Sequence, residues 1–308
     1  MGDREEGRTA VYKMIQKPVI LITSLGRTGT KFFATLFQSL ISHSTSLHEP
    51  DVFGVEQNQG ASDILRQIKE AGWVNMFVGK ALGKWSTIEL SDKRIRGELD
   101  LPNTAHRLLE QRSKFVGSKP GTAYIESNPG FYGLIDVCPH VFAQHRIAFM
   151  IRDGRSWVRS WMNWGHLYAK GPVRRIIAHT WPTAAEIKDD LYHDRWSQMS
   201  RFERICWAWA TLNQYALDTL ALNPNAHLFY FEEIFKADAR YENLYQLVHY
   251  LTDLPAVEPV AAAALTGWLD QQIHPSQADF PAWQNWSLTH KQQFEQICGP
   301  LMRQVGYF

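Results

Sequence analysis

The sequence contains few cysteines and no recognisable metal-binding spacing. Its three cysteines, Cys138, Cys206 and Cys298, lie far apart and form no CxxC pair. This argues against a zinc site or a disulfide framework and suits a reducing cytosol. The twelve histidines include no HExxH motif and no paired ligand spacing. We therefore predict that the protein binds no metal and is cytoplasmic.

Long apolar runs and a strong net charge are also missing. No apolar stretch approaches the roughly 18 residues needed to cross a bilayer. Residues 1–17 mix acids and bases without an apolar core, so we predict a flexible tail rather than a signal peptide. Because the net charge is only +1 at pH 7, no overall field attracts nucleic acid or a membrane surface. Any anion site must be local.

Short apolar runs alternate with segments of helical spacing. Strands are predicted at 18–23, 123–126, 146–151 and 226–231, with another short strand within 43–60. Helices are predicted near 61–71, 103–114 and 201–222, after a cap at Asp153, and through a C-terminal part broken around 274–288. This alternation predicts an α/β fold with a mostly parallel sheet covered on both faces. We assign one domain over 18–308, with a helical or loop insertion at 165–200.

Tryptophan is the one residue type in excess. Seven of the twelve tryptophans fall between Trp157 and Trp209. Two interpretations stay open: aromatic packing in a large core, or an aromatic-lined cleft for a substrate.

A glycine-rich turn follows the first predicted strand and opens a helix. It reads Ser24-Leu25-Gly26-Arg27-Thr28-Gly29-Thr30-Lys31. Backbone N–H groups in such a turn can approach a phosphate closely, and the helix dipole favours the anion. The P-loop pattern GxxxxGK[ST] is broken, because Thr30 separates Gly29 from Lys31 and Phe32 replaces the magnesium-binding hydroxyl. A turn that only reverses the chain is the alternative.

The strand at 146–151 ends in Arg152, and Ser160 lies eight residues further on. Ser156 and Ser160 share one face of the predicted helix. Arg152 and Ser160 could therefore converge on one phosphate, at the carboxyl edge of the sheet where the glycine turn also lies. Alternatively, Arg152, Asp153 and Arg155 form only a local ion-pair cluster.

The two segments together resemble the sulfotransferase family that uses 3′-phosphoadenosine 5′-phosphosulfate (PAPS), in its bacterial and carbohydrate-type branch. Residues 26–32 resemble its 5′-phosphosulfate loop, and residues 152–160 resemble its 3′-phosphate motif. Weaker matches follow in the family's order at 126–129, 231–234 and 294–307. The resemblance runs from about residue 18 to the C-terminus, with 165–200 unmatched.

The resemblance implies a P-loop-like, three-layer fold and in-line transfer of a sulfuryl group from PAPS, leaving 3′-phosphoadenosine 5′-phosphate (PAP), without a metal. The acceptor is a hydroxyl or amine of a small molecule or glycan. The residues implied to bind the donor are Arg27, Thr28, Gly29, Thr30, Lys31, Phe32, Arg152 and Ser160.

The chain departs from the family at three points. The loop carries Arg27 where cytosolic members have Lys, Glu126 replaces a frequent Lys, and the RKGxxGxxK signature is not evident. Positive charge could instead come from Lys80, Lys84, Arg174, Arg175 or Lys291.

The resemblance also implies catalytic roles. Related members place a catalytic glutamate about twenty residues after the loop, and Glu49 matches this position. Glu49 is therefore predicted to be the general base, with Arg27 stabilising charge at the transferring group. His48 is the rival base, and a surface ion pair is the alternative role for Glu49.

Two functions other than sulfuryl transfer stay open. A P-loop phosphotransferase could use the glycine turn and Asp153, although the broken GK[ST] pattern opposes it. A nucleotide-binding scaffold without catalysis is the third possibility, opposed by the joint presence of Arg27, Lys31, Glu49, Arg152 and Ser160.

Overall fold

The computed structural model describes residues 13–50, 86–164, 167–168, 181–270 and 279–308. The predicted helix near 61–71 lies outside these residues, as do Lys80, Lys84, Arg174 and Arg175. Within the predicted tail, Ile15 is buried and its backbone bonds to Val141 and Ala143. The division into a tail, one domain and an insertion at 165–200 stays a prediction.

Five strands form one sheet, and each described strand runs parallel to its neighbours. They are β1 (Val19–Ser24), β2 (Ser44–His48), β3 (Ala123–Ser127), β4 (His145–Ile151) and β5 (Ala226–Tyr230). The spatial order is β2-β3-β1-β4-β5, so β1 lies between β3 and β4. The four predicted strands are confirmed, with bounds that differ by at most one residue, and so is the short strand within 43–60.

Eight α-helices are described, and most of them lie against the two faces of this sheet. They are α1 (Thr30–Leu40), α2 (Thr87–Ile95), α3 (Leu101–Ser118), α4 (Gly154–Trp164), α5 (Arg201–Leu220), α6 (Phe231–Phe235), α7 (Arg240–Thr252) and α8 (Leu288–Gln304). The helices predicted at 103–114 and 201–222 correspond to α3 and α5.

Alternate residues of β1 face opposite sides of the sheet, as the pleat requires. Val19 and Leu21 join an apolar cluster that includes residues of α2, α3, α4, α5 and α8. Ile20 and Ile22 join a second cluster with α1 and α7. The result is a helix–sheet–helix sandwich, which confirms the predicted three-layer α/β class.

The tryptophan-rich segment is mostly core. Five of its seven tryptophans are buried: Trp157, Trp161, Trp181, Trp207 and Trp209. Trp164, at 49% exposure, is the most open of the seven. The packing interpretation therefore holds for most of the segment. Within the described residues, no helix has the length and apolar character needed to cross a membrane, and all three cysteines are buried free thiols.

Candidate donor site at the carboxyl edge of the sheet

Because all five strands are parallel, their carboxyl ends meet at one edge of the sheet. The glycine loop leaves β1 there, Glu49 follows β2, Arg152 follows β4, and Phe231 follows β5. Ligands of open α/β sheets bind at this edge. The topology alone therefore brings together segments that are distant in the sequence.

Hydrogen bonds within the loop after β1 fix its conformation. Its first serine, Ser24, accepts hydrogen bonds from the Gly26 N–H at 3.0 Å and the Thr28 hydroxyl at 2.6 Å. Gly26, Arg27 and Gly29 all have positive φ, between 60° and 82°. At Gly29 a Cβ atom would lie 2.9 Å from the Phe235 ring, so glycine is required there for space as well as for conformation.

Arg27 from this loop meets Arg152 and Ser160, which lie in a different part of the chain. Arg27 Nε donates to Ser160 Oγ at 3.0 Å, and Arg152 Nη1 donates to the Arg27 carbonyl oxygen at 2.6 Å. Arg152 Nε is held by Ser156 Oγ at 2.9 Å. No described residue accepts a hydrogen bond from Nη1 or Nη2 of Arg27 or from Nη2 of Arg152. These donors suit an anion.

The two guanidinium groups are partly buried next to each other. Burial lowers the pKa of Arg27, and burial also lowers the pKa of Arg152, where Glu232 acts in the opposite direction. Desolvation disfavours the charged form of each group. An anion bound between them would offset this penalty, because charge-assisted hydrogen bonds are the strong ones.

Two buried tryptophans hold the backbone of the same site. Trp157 Nε1 donates to the Gly26 carbonyl oxygen at 3.1 Å, and Trp209 Nε1 donates to the Arg152 carbonyl oxygen at 3.0 Å. Both rings are about fully buried. Part of the tryptophan-rich segment therefore fixes the loop and the end of β4, a role that composition alone did not indicate.

Three other residues predicted to bind PAPS, Thr28, Phe32 and Lys31, differ in burial and in contacts. Thr28 is buried and its hydroxyl faces Ser24, so it stabilises the loop from within. The Phe32 ring packs 5.2 Å from Phe235 and 6.4 Å from Trp268. Lys31 is exposed. At positions 28 and 32 this leaves the backbone N–H groups as the predicted donors to phosphate.

The candidate bases lie at the end of β2. The His48 ring nitrogen Nε2 is 3.1 Å from Thr30 Oγ1 and 3.4 Å from Glu49 Oε1. The Glu49 N–H donates to the Ser127 carbonyl oxygen at 3.1 Å, and its φ is 43°. A non-glycine residue in this conformation is strained, and such strain clusters at functional sites. The structure thus ties Glu49 to the start of α1 through His48.

Asp153 caps α4, as predicted. Its Oδ1 atom accepts from the backbone N–H groups of Arg155 at 2.8 Å and Ser156 at 3.3 Å, and the carboxylate also pairs with the Arg155 guanidinium. The ion-pair cluster weighed for Arg152, Asp153 and Arg155 thus forms between Asp153 and Arg155. Arg152 points instead to the glycine loop.

Glu126, which stands where the family often has a lysine, has a buried partner. Its Oε1 accepts from Arg112 at 2.8 Å and from Asn128 Nδ2 at 2.7 Å, while Oε2 accepts from the Tyr124 hydroxyl at 2.6 Å. Its side chain is fully buried and that of Arg112 is 3% exposed. Position 126 therefore belongs to a buried polar network.

Introducing a lysine at position 126 should damage the fold. Glu126→Lys would place a second positive charge against buried Arg112, so we expect a loss of about 3–5 kcal/mol in the free energy of unfolding, measured by urea denaturation. Glu110→Lys on the exposed face of α3, where the side chain is 62% exposed, should change it by less than about 0.5 kcal/mol. A wild-type unfolding midpoint for Glu126→Lys would contradict this account.

Of the cations proposed to replace that lysine, only Lys291 is described. Its Nζ donates to the Gln284 carbonyl oxygen at 2.9 Å and lies 5.9 Å from the centre of the Trp283 ring. Within the described ranges, no group of three or more His, Cys, Asp or Glu side chains could hold a metal ion.

Glu232 and Tyr307 are site residues that the sequence analysis did not single out. Glu232 Oε2 accepts from the Asp153 N–H at 3.2 Å and from the Tyr307 hydroxyl at 2.8 Å. The only sequence signal was the Phe-Glu-Glu-Ile segment after β5, together with a tyrosine in the last matched segment. Neither signal indicates that the two residues meet.

Comparison with known proteins supports the fold. No family model matches the chain, and no curated protein matches it. Among solved structures it is similar to the sulfotransferase STF9 from Mycobacterium avium, with 14% identity and a TM-score of 0.54, over 95% of this chain and 77% of that one. At this identity the likeness shows the fold, and the predicted P-loop-like α/β class is confirmed.

Two further structures were found with lower scores. The sulfotransferase domain of the Synechococcus PCC 7002 olefin synthase is 11% identical and covers 92% of this chain and 95% of that domain. The sulfotransferase domain of the curacin biosynthetic pathway is 12% identical and covers 92% of this chain and 98% of that domain. Each has a TM-score of 0.38, and they add no support.

Proposed function

We propose that the protein is a sulfotransferase that moves the sulfuryl group of PAPS to a hydroxyl or amine. The observation that carries the proposal is the contact of Arg27 in the glycine loop with Arg152 and Ser160, which lie 125 and 133 residues further along the chain. One cluster of hydrogen-bond donors lies in the glycine loop, and the other lies at the end of β4. A donor with phosphate groups at both ends of its ribose needs two such clusters.

We propose one orientation of the donor at this edge of the sheet. The 5′-phosphosulfate lies on the backbone N–H groups of residues 27–32 at the start of α1, where helix dipole and positive charge favour an anion. Arg152 and Ser160 bind the 3′-phosphate, since Arg offers a forked donor and Ser a single one. The Nη1 and Nη2 nitrogens of Arg27, which donate to no described residue, are left to bind either group.

The transfer breaks one bond and forms one. The acceptor oxygen or nitrogen attacks sulfur as the bond from sulfur to the bridging phosphate oxygen breaks, and PAP departs with the negative charge. Arg27 and Lys31 stabilise that developing charge. Glu49 takes the proton of the acceptor as general base, and His48, between Thr30 and Glu49, positions the carboxylate.

The phosphotransferase alternative is weakened by the role of Asp153. In that reading Asp153 would help to hold magnesium at the end of β4, but its carboxylate caps α4 and pairs with Arg155. Phe32, which stands in place of the second magnesium ligand, packs against Phe235. Turnover of ATP that is lost in EDTA and restored by Mg²⁺, without a response to PAPS, would favour the alternative.

Binding of PAP tests the donor assignment. PAP should raise the melting temperature in a saturable way, since a ligand that binds only the native state stabilises it by mass action. AMP lacks the 3′-phosphate that Arg152 and Ser160 bind, and should stabilise the protein far less. Equal stabilisation by AMP and PAP would remove the case for the second phosphate site. The scaffold without catalysis predicts the same binding but no transfer.

The acceptor is a small molecule or glycan, and the site of action is the cytoplasm, where the buried free cysteines stay reduced. Trp164, half exposed and in edge contact with Trp161 at 5.1 Å, offers an apolar surface on the helix that also carries Ser160. Aromatic side chains of this kind commonly line substrate clefts.

A further inference from the structure

A carboxylate stands beside the proposed anion site. Burial lowers the pKa of Arg152 and the Glu232 carboxylate acts in the opposite direction; the same carboxylate accepts from the Asp153 N–H at 3.2 Å. Its second oxygen lies 3.5 Å from Ser156 Oγ and 3.4 Å from Lys236 Nζ. Coulomb repulsion from a bound phosphate disfavours a carboxylate at such a place. A compensating role is therefore expected.

The contacts of Glu232 indicate that role. It bonds the peptide N–H directly after Arg152 and approaches Ser156, whose hydroxyl accepts from Arg152 Nε at 2.9 Å. Its neighbour Phe231 places its ring 4.6 Å from the Arg152 guanidinium carbon. The start of α6 therefore fixes both the backbone that carries Arg152 and the face of its guanidinium.

Tyr307, beyond the end of α8, holds Glu232 in place. Its hydroxyl donates to Glu232 Oε2 at 2.8 Å and lies 3.4 Å from the Ile151 carbonyl oxygen. Its own carbonyl oxygen accepts from Arg155 Nη2 at 3.1 Å, and its ring packs 5.7 Å from that of Tyr230. Burial, followed by the Glu232 carboxylate, raises the pKa of Tyr307 well above its usual value. The hydroxyl therefore stays protonated and donates.

We infer that Glu232 and Tyr307 are positioning residues for the 3′-phosphate of the donor, which they serve by holding Arg152 through Asp153 and Ser156. The inference rests on the proposed function, because it assumes that Arg152 binds that phosphate. The preference for PAP over AMP then depends on a chain of contacts that begins at Tyr307 and ends at Arg152.

Glu232→Ala separates positioning from simple repulsion. Removing a negative charge beside an anion site should tighten PAP binding if charge alone matters. If Glu232 positions Arg152, the same change should weaken PAP binding by about tenfold or more. Without Glu232, Arg152 is no longer held in place, and its charge-assisted contact with the 3′-phosphate is lost. The dissociation constants of PAP and AMP, measured by isothermal titration calorimetry, distinguish the two. The AMP constant should change by less than about twofold if only the 3′-phosphate contact is affected.

Two further variants keep the test independent of folding. Tyr307→Phe removes one hydroxyl and should weaken PAP by about fivefold to tenfold with AMP unchanged. Glu232→Gln can still accept from the Asp153 N–H and the Tyr307 hydroxyl, so its dissociation constant for PAP should stay within about threefold of wild type. The matched controls are Glu233→Gln, on the exposed neighbour, and Tyr245→Phe, whose ring packs against His249 on α7.

The outcomes separate this inference from the proposed function. Wild-type protein that binds PAP no better than AMP would overturn the proposed function. Wild-type discrimination that survives both Glu232→Ala and Tyr307→Phe would overturn the inference and leave the proposed function standing. Tighter PAP binding by Glu232→Ala would show that repulsion, and not positioning, is its effect.

Discussion

Glu49→Gln should reduce turnover by about 10²–10⁴ while leaving PAP affinity unchanged, because a positioned general base usually contributes that much to the rate. Glutamine keeps the shape of the side chain and removes its basicity. The loss should therefore appear in kcat and not in donor binding. The position supports this result, since Glu49 follows β2 at the ligand-binding edge in a strained conformation, with φ at 43°.

His48→Ala is the matched control for that variant. His48 bridges Thr30 Oγ1 and Glu49 Oε1, at 3.1 Å and 3.4 Å, so its loss should loosen the base and have the milder effect. Steady-state rates with PAPS and one productive acceptor measure both variants. If His48→Ala abolishes turnover and Glu49→Gln is nearly normal, the two roles are reversed.

Arg27→Ala should cost about 10²–10³ in turnover, the usual loss when one preorganised donor to developing charge is removed. The protein should still fold, because Arg27 is a partly exposed loop residue whose side chain makes a single described hydrogen bond, to Ser160. Circular dichroism checks the fold, and kcat/KM reports the loss. Arg303→Ala removes an arginine from the exposed end of α8, where it is 56% exposed, and should leave kcat/KM unchanged. A near-normal kcat/KM for Arg27→Ala would contradict the assignment of that residue.

Local sequence signals predicted the parts of the site that lie within one strand–loop–helix unit. The apolar run before Ser24, the glycines at 26 and 29 and the helical spacing after Thr30 are all short-range patterns, and the structure has strand, turn and helix in that order. Asp153 as the cap of α4 is also local, because the cap bonds N–H groups only two or three residues away.

The contacts that complete the site are not local, and sequence patterns do not carry them. Tyr307 meets Glu232 across 75 residues, and Arg112 lies against Glu126 from another element. The position of Glu126 in the sequence indicates only that a lysine is missing there. It does not indicate Arg112, because that partner comes from α3. The tryptophans gave the same ambiguity, since composition cannot distinguish a core ring from one such as Trp157 that also holds the loop.

The most direct test of the central claim is transfer of label from [³⁵S]PAPS to an acceptor. The purified protein is incubated with labelled donor and a panel of phenols, steroids, sugars and amines, together with polar and lipid extracts of cells. Glu49→Gln serves as the inactive control. The proposed function predicts that label appears in an organic product while an equal amount of PAP is released, and that Glu49→Gln slows this by about 10²–10⁴. Saturable PAP binding with all label remaining in PAPS, across the panel and both extracts, would contradict it.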